Sequence, residues 1–242
     1  MQFIKNQKTY FAHLNKRVVF GGITRNSASY IETALMRVRE LGSLFQKYHI
    51  VVYENDSMDN TVSLLKKTRV NYISEQYGYK EYNSRDPNPT SLDRMAHYRN
   101  QLKKSLDKYD VDYIIILDFD VQHISWDGFF YSFSHEFDAC FARGLCVREN
   151  QSNYYDYFAH REVGCIDDGI NQECVKKYGE SKNTSLIPVD SAFGGIAIYK
   201  KEAYSVGTYE GGQCEHVPFH KSLKTQGFNQ LYINPLLVTL HK

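Results

Sequence analysis

Two aspartates, Asp118 and Asp120, directly follow an uninterrupted apolar run at residues 113–117. Such a run is typical of a central strand that is covered on both faces, and it is too short to span a membrane. Because side chains alternate along a strand, both carboxylates should project to one side of its carboxyl end, where open α/β sheets bind ligands. The pair could hold Mg²⁺ or Mn²⁺, and such a cation could in turn bind a diphosphate. A solvated strand end is the alternative, since Asp-x-Asp alone is common.

The polar loop after the first strand should lie beside this pair. Residues 17–23 are predicted to form a strand that ends in Gly21 and Gly22, and Thr24 and Arg25 open the loop. The glycines could let the backbone approach a ligand, or they could form a plain tight turn, because a Gly-x-Gly-x-x-Gly fingerprint is absent.

A helix and a second strand follow this loop. Ser29 and Glu32 have capping-box spacing ahead of apolar residues that repeat on one helical face. Residues 50–53 are predicted to form a buried strand that runs into the polar segment 54–61, in which Asp59 suits a helix cap.

Glu54 and Asn55 open that polar segment at the carboxyl end of the second strand. Turn and cap chemistry alone could explain such residues. A third strand at residues 70–73 completes a β-α-β-α-β order, which predicts a parallel sheet with right-handed crossovers. The polar residues after these strands should therefore share one edge of the sheet.

A helix at residues 92–108 leads into the strand that carries Asp118. It follows a polar segment, residues 75–91, that we expect to be a long surface loop, either functional or a tolerated insertion. Arg94 and Arg99 lie on the flanks of the helix. Most helix arginines are solvated, which is the default expectation for each, although both could face the same site.

The second half of the sequence contains further candidates. A strand is expected at residues 137–142, and the polar and aromatic segment 149–161 could face an acceptor. Gly194 and Gly195 enter another strand, where paired glycines are usually a bulge or a close packing contact.

Two polar features lie near the end of the sequence. Glu215 and His216 stand in a polar stretch, and the apolar strand 236–241 ends in His241. A capped helix start would explain the first pair, and a lone histidine usually has no special role. Imidazole is nevertheless a commoner ligand for transition metals than for Mg²⁺.

Composition limits the classes of function. The chain of 242 residues has 29 Lys plus Arg against 28 Asp plus Glu, so no overall field favours nucleic acid or an acidic surface. Its five cysteines form no Cys-x-x-Cys pair, which argues against a disulfide framework or a structural zinc site. We expect a cytoplasmic protein without a transmembrane segment.

Taken in order, these segments resemble the nucleotide-binding half of GT-A-fold glycosyltransferases. The features are the Thr-Arg-Asn loop at 24–26, Glu-Asn-Asp-Ser-x-Asp-Asn-Thr at 54–61, an Arg-x-x-x-x-Arg-Asn helix at 94–100 and the Asp-x-Asp strand end. The 54–61 segment is similar to the Asp-Asp-Gly-Ser-x-Asp-Gly-Thr loop of the family that includes cellulose and chitin synthases. It is closer still to the Glu-Asn-Asp-Ser loop of capsule mannosyltransferases.

The resemblance implies a single α/β, Rossmann-type domain over residues 1–242 with a mostly parallel central sheet. About 16–123 would bind the nucleotide sugar and about 124–242 would bind the acceptor and carry the catalytic groups. On this view Thr24, Arg25, Glu54, Asn55, Arg94, Arg99 and Asp118 surround the nucleotide, and Gly194 and Gly195 lie against the donor sugar.

The resemblance also implies catalytic and metal-binding roles. His241 matches a third metal ligand beside Asp118 and Asp120, which favours Mn²⁺ over Mg²⁺. The family's x-Glu-Asp motif, which supplies the base of inverting enzymes, would fall at Glu215. Because His216 stands where the motif has Asp, either residue could be the base, and Glu215 is preferred since a carboxylate is already ionised at neutral pH.

The resulting hypothesis is a metal-dependent, inverting glycosyltransferase that uses a uridine- or guanosine-diphosphate sugar and a glycan or other hydroxyl acceptor. A nucleotidyltransferase lacks support, because no Gly-rich basic phosphate loop follows the first strand. A non-catalytic module that binds nucleotide or glycan stays open as a second alternative. A glycoside hydrolase is disfavoured, because the carboxylates cluster with the nucleotide-site features.

Overall fold

The structure, a computed structural model, describes residues 15–78, 91–148, 151–168, 178 and 184–241. The strands in this part of the chain are β1 Arg17–Thr24, β2 Lys47–Asn55, β3 Asn71–Glu75, β4 Tyr113–Leu117, β5 His123–Ile124, β6 Ala139–Arg148, β7 Gln151–Tyr154, β8 Ile187–Pro188, β9 Ile196–Lys200 and β10 Leu231–His241. The helices are α1 Ile31–Gly42, α2 Thr61–Thr68, α3 Ser91–Leu106, α4 Trp126–Ser132, α5 Lys201–Val206 and α6 His216–Thr225.

One sheet joins both halves of the chain in the order β3-β2-β1-β4-β9-β6-β10-β5. The first four strands in this order pair in parallel, as the alternating strand and helix pattern predicts. β9 is antiparallel to both of its neighbours, and β6 and β10 again run with the first four. Most strands of the sheet therefore run in one direction, and β4 lies near its centre.

Helices cover both faces of the sheet. Along β4, Ile114 and Ile116 belong to the core beneath α3, α5 and α6, whereas Ile115 and Leu117 belong to the core beneath α1, α2 and α4. Both sets are buried, because neither face of this strand contacts water. This explains why the sequence has an unbroken apolar run here instead of polar alternation.

The first strand differs from expectation at its glycines. Gly21 and Gly22 do not form a turn, because β1 continues through them to Thr24. A Cβ atom at Gly21 would lie 2.7 Å from the Leu106 side chain, and one at Gly22 would lie 2.4 Å from the Leu117 carbonyl oxygen. Close packing against α3 and β4 therefore explains the glycines, and no approach to a ligand is needed.

The predicted capping box is wrong. The residue that precedes α1 is Tyr30, no side chain caps the helix, and Ser29 is exposed. The backbone carbonyl of Ser27 accepts from the N–H groups of Tyr30 and Ile31 instead. A tight backbone turn thus replaces the side-chain cap that the spacing suggested.

Four of the five cysteines lie in the described part of the chain. Cys140, Cys146, Cys165 and Cys214 are free thiols there, and Cys174 lies outside it. None of the helices in the described ranges is both long and apolar enough to cross a membrane.

Candidate active site

Asp118 follows β4 directly and points toward α3. Ile114 and Ile116 place their side chains on the α3 face, and Phe119 joins the opposite core, so strand alternation carries Asp118 to the α3 side. Asp120 is exposed in the next turn. Its negative charge acts on Asp118, so the structure brings the two carboxylates close together.

Arg99 on α3 joins two carboxylates. Its Nε donates to Oε1 of Glu215 at 3.1 Å, and its Nη2 donates to Oδ1 of Asp118 at 3.4 Å. Burial acts to lower the pKa of Arg99, but the attraction of Asp118 and Glu215 raises it overall. Its Nη1 has no hydrogen-bond partner among the described residues. A buried cation therefore retains a free donor for a ligand.

The default expectation for the α3 arginines is wrong. Arg94 is 5% exposed and Arg99 is 3% exposed, so neither is solvated. The helix leads into β4 and packs on the sheet, which turns this flank toward the carboxylates at the sheet edge. Helix periodicity alone cannot reveal a buried arginine, because its acidic partners are distant in sequence.

Asp118, Asp156 and Glu215 lie within electrostatic range of Arg99, and we call these three carboxylates the acidic cluster. Burial raises the pKa of Asp118 to about 7, against the attraction of Arg99, and the negative charge of Asp120 adds to the rise. Burial likewise raises the pKa of Asp156 to about 6. One guanidinium does not offset this much negative charge, so the cluster favours a further cation.

His216 begins α6 beside Glu215. Its ring stacks on Phe193, with centroids 4.1 Å apart, and its Nε2 lies 3.5 Å from Oε1 of Glu215. Burial and the charge of Arg99 lower the pKa of His216 well below 6.5, so the imidazole is neutral at pH 7. Neither ring nitrogen has a hydrogen-bond partner in the described ranges. Glu215 makes no side-chain cap, so helix capping does not explain this pair.

Gly194 and Gly195 connect the site residues. The Gly194 N–H donates to Oδ2 of Asp156 at 3.0 Å, and the Gly195 carbonyl accepts from the N–H of Asp118 at 3.0 Å. Both glycines have positive φ angles, 63° and 84°. A Cβ atom at Gly195 would lie 2.5 Å from the His241 ring. Only glycine fits both the backbone conformation and the space here.

His241 is buried at the end of β10. Its ring stacks on Tyr155, with centroids 3.5 Å apart and planes 8° from parallel. Its Nε2 lies 3.4 Å from the carbonyl of Gly194, and its Nδ1 lacks a partner among the described residues. Burial lowers the pKa of His241, while the charge of Asp120 acts to raise it. The imidazole is therefore neutral and lies near Asp120.

The three residues predicted to bind a metal fit a divalent cation by chemistry. Within the described ranges, no three His, Cys, Asp or Glu side chains are grouped closely enough to form a ready metal site. Asp120 nevertheless acts electrostatically on both Asp118 and His241. Two carboxylates and a neutral imidazole are suitable ligands for Mn²⁺, and its charge would relieve the repulsion that raises the pKa of Asp118.

A different arrangement is found at the loops after β1 and β2. Residues 24–28 and 54–61 bind each other, and we call them the interlocked loops. Asp59 accepts from the N–H of Thr61 at 2.9 Å, but the residue that precedes α2 is Asn60 and no side chain caps this helix, so the predicted cap at Asp59 is wrong. The hydrogen bonds between the two loops run from Asn26 N to Ser57 Oγ, Ser27 N to Thr61 Oγ1, Ala28 N to Asp59 Oδ2 and Met58 N to Asn26 Oδ1.

The predicted nucleotide residues of these loops also have local partners. Glu54 is fully buried, and its Oε1 accepts from the N–H of Ser57 at 2.8 Å. Asn55 donates to Asp56 at 3.2 Å, and Thr24 donates to Ser27 at 2.7 Å. Many of the polar groups that suggested ligand binding therefore stabilise the loops themselves. Arg25, within the first loop, is half-buried.

Tyr155 and Asp156 lie beside the predicted site residues, although no sequence motif indicated them. Both lie in the segment 149–161, whose polar and aromatic character suggested only an acceptor-facing loop. The signal that a carboxylate would turn inward is the hydrogen bond from Gly194, which is distant in sequence. Most of the predicted surface loop 75–91 lies outside the described residues.

No protein-family model and no curated relative matches the sequence. Similar solved structures include a crystallised segment of S. aureus TarS, with a TM-score of 0.54 and 16% identity over 93% of this chain and 60% of that chain. The mannosyltransferase PcManGT from Pyrobaculum calidifontis, in complex with GDP-Man and Mn²⁺, has a TM-score of 0.55 and 15% identity over 99% of this chain and 65% of that chain.

GalNAc-T7 with UDP, GalNAc and Mn²⁺ is also similar, with a TM-score of 0.57 and 11% identity over 93% of this chain and 44% of that chain. The chain thus spans about half to two thirds of the length of these three structures. At these identities the comparison shows a shared fold, and the fold of this chain is the GT-A type that the sequence predicts.

Proposed function

We propose that the protein is a metal-dependent glycosyltransferase that transfers a sugar from a nucleotide-diphosphate sugar to a hydroxyl group of a glycan or another acceptor. The observation that carries this proposal is the convergence of Asp118, Glu215 and Arg99 at the carboxyl end of β4. In open α/β sheets this edge is where ligands bind.

Arg99 supports the binding of an anionic donor. Its guanidinium is buried and charged, and its Nη1 lacks a partner among the described residues. A diphosphate oxygen would complete its hydrogen bonding with a charge-assisted bond. Arg94, which is also in α3 and buried, is the second candidate for the diphosphate, and Glu54, Asn55, Thr24 and Arg25 would border the nucleoside.

Asp118, Asp120 and His241 would hold Mn²⁺ or Mg²⁺. When bound, the cation offsets the charge that develops on the leaving diphosphate. Two of the similar structures are complexes that contain Mn²⁺, which supports the same choice here. Gly194 and Gly195 lie between the metal side and Asp156, where a donor sugar would be positioned.

Glu215 is the proposed base of an inverting reaction. It would accept the proton of the acceptor hydroxyl as the hydroxyl oxygen attacks the anomeric carbon and the nucleoside diphosphate leaves. Arg99 fixes Oε1 of Glu215 at 3.1 Å, which orients the carboxylate. His216 is the rival base, and its low pKa makes it a weaker proton acceptor than a histidine in water.

The test is a screen of UDP- and GDP-linked sugars for hydrolysis in the presence of MnCl₂ or EDTA. We expect Mn²⁺-dependent release of UDP or GDP from at least one donor, with water replacing the acceptor. A non-catalytic nucleotide-binding module would bind a donor and release nothing. Release that is equally fast in EDTA would contradict the metal dependence.

A further inference from the structure

We infer that Asp156 binds the acceptor, accepting a hydrogen bond from a hydroxyl group of a sugar ring. This inference rests on the proposed function and specifies the acceptor side of the same site. It adds a residue to which the sequence motifs assign no role. Four observations support it.

The first observation is the position of Asp156. It follows β7, on the part of the sheet that is built from the second half of the chain. Its Oδ2 accepts from the Gly194 N–H at 3.0 Å, and Gly195 is bonded in turn to Asp118. The carboxylate is therefore held on the side of the acidic cluster that lies opposite the interlocked loops across β4.

The second observation is the absence of a cation at Asp156. Two more deeply buried carboxylates of this half have one, because Glu215 contacts Arg99 and Asp190 contacts Lys224. Asp156 makes no ion pair with any described residue, although part of its surface remains exposed. A carboxylate of this kind can accept hydrogen bonds from hydroxyl groups, and such charge-assisted bonds are strong.

The third observation is that other polar atoms nearby also lack partners. His216 is 3% exposed, and neither of its ring nitrogens is hydrogen-bonded within the described part of the chain. The Nη1 atom of Arg99 is in the same condition. Arg99 acts electrostatically on both His216 and Asp156, so these groups share one region. Buried polar groups without partners are costly, and a hydroxyl-rich ligand would satisfy them.

The fourth observation concerns the rings beside Asp156. Tyr155 is 36% exposed and Phe158 is 50% exposed, although one face of each is covered, by His241 and Tyr157 respectively. A sugar ring presents apolar C–H faces and hydroxyl edges. Aromatic rings next to a carboxylate match that combination better than they match a purely apolar acceptor.

The test compares wild type with Asp156→Asn, using a panel of methyl hexopyranosides as acceptors and a donor that the wild type hydrolyses. Asparagine can still accept from the Gly194 N–H, so the fold should persist, and thermal unfolding checks this. We expect wild-type transfer to at least one glycoside. In Asp156→Asn the acceptor KM should rise about tenfold to a hundredfold, with a smaller change in kcat and an unchanged donor affinity by calorimetry.

Asp110→Asn is the matched control, because Asp110 is an exposed carboxylate before β4, at the far end of that strand from Asp118. It should leave the acceptor KM unchanged. Donor hydrolysis without transfer to any glycoside would overturn the inference and leave the proposed function intact. An unchanged acceptor KM in Asp156→Asn, or a loss confined to kcat, would overturn it as well. Absence of donor hydrolysis in the wild type would instead contradict the proposed function.

Discussion

The interlocked loops and the acidic cluster are both rich in polar residues at strand ends, but they satisfy those residues differently. In the loops, side-chain and backbone groups bind each other, as Asn26 does with Ser57 and Met58. In the acidic cluster, one buried arginine faces three carboxylates, and His216 has no hydrogen-bond partner in the described ranges. Polar groups in the loops stabilise the fold, whereas those in the cluster leave binding capacity for a ligand.

The pKa shifts of two aspartates express the same difference. Burial acts to raise the pKa of Asp59, but hydrogen bonds from Thr61 and Ala28 outweigh it and lower that pKa below 3.8. Burial raises the pKa of Asp118 to about 7. Ionisation of Asp59 therefore stabilises the folded protein, and ionisation of Asp118 destabilises it. A local loss of stability of this kind is typical of functional sites.

The largest effect should come from the base. Glu215→Gln should lower turnover by about two to four orders of magnitude, the usual contribution of general-base catalysis, while nucleotide affinity stays close to wild type. Glutamine can still accept from Arg99, so the structure should survive. Single-turnover rates with one donor and acceptor pair provide the measurement.

His216→Gln is the matched comparison for the base. If His216 were the base, its substitution would cause the larger loss. Because the pKa of His216 is lowered, the wild-type rate would then decrease only when the pH is well below 6.5. Near-wild-type turnover in Glu215→Gln would refute our assignment, and retention at the anomeric carbon would refute the inverting mechanism.

The next effect should appear at Arg94, a buried residue of α3. Arg94→Gln should weaken nucleotide binding by about 1 to 3 kcal/mol, because a charge-assisted contact to the diphosphate is lost. Arg99 is less suitable for this test, since its removal would leave Asp118 and Glu215 without their cation. Calorimetry with UDP and GDP would show the change, and unchanged affinity would remove Arg94 from the site.

A smaller effect is expected in the interlocked loops. Asp59→Ala should lower the free energy of unfolding by about 1 to 2 kcal/mol at pH 7, because Thr61 and Ala28 lose their acceptor, with little change in turnover. Asp59 has a lowered pKa, so its contribution is present above the unfolded pKa near 3.8 and disappears as pH falls through the lower, folded pKa. Urea unfolding at pH 7 and at pH 3 measures the free energy of unfolding of wild type and Asp59→Ala at each pH. A turnover loss without destabilisation would mean that the loops belong to the catalytic machinery.

The smallest effect has the opposite sign. Without divalent cations, Asp118→Asn should raise stability by about 1 kcal/mol at pH 8, because an ionised and mostly buried carboxylate is removed. A raised carboxyl pKa favours the folded state only while the group is protonated, so the wild type loses stability as pH rises from about 4 to about 7. Thermal unfolding of wild type and Asp118→Asn in EDTA at pH 5 and pH 8 would show this loss of stability. Equal stability of the two proteins at pH 8 would contradict the raised pKa of Asp118.

Sequence patterns were sufficient to predict the parallel strands and the carboxylate pair at the end of β4. The apolar run before Asp118 and the order of strands and helices depend on local periodicity and burial, which a sequence reveals directly. The ion pair between Arg99 and Glu215 joins residues 116 positions apart, and no periodicity encodes such a contact. Asp156 was missed for the same reason, because its partner Gly194 belongs to a different strand connection.

We predict that the donor binds through a cation at this edge of β4, and that the interlocked loops border only its nucleoside. Calorimetric titration of UDP and GDP in MnCl₂ and in EDTA tests it, with wild type, Asp120→Ala, His241→Ala and Asp59→Ala. We predict Mn²⁺-dependent binding of one nucleotide in wild type and Asp59→Ala, a partial loss in His241→Ala and abolition in Asp120→Ala. Full metal-dependent binding by the Asp120→Ala protein would contradict the claim.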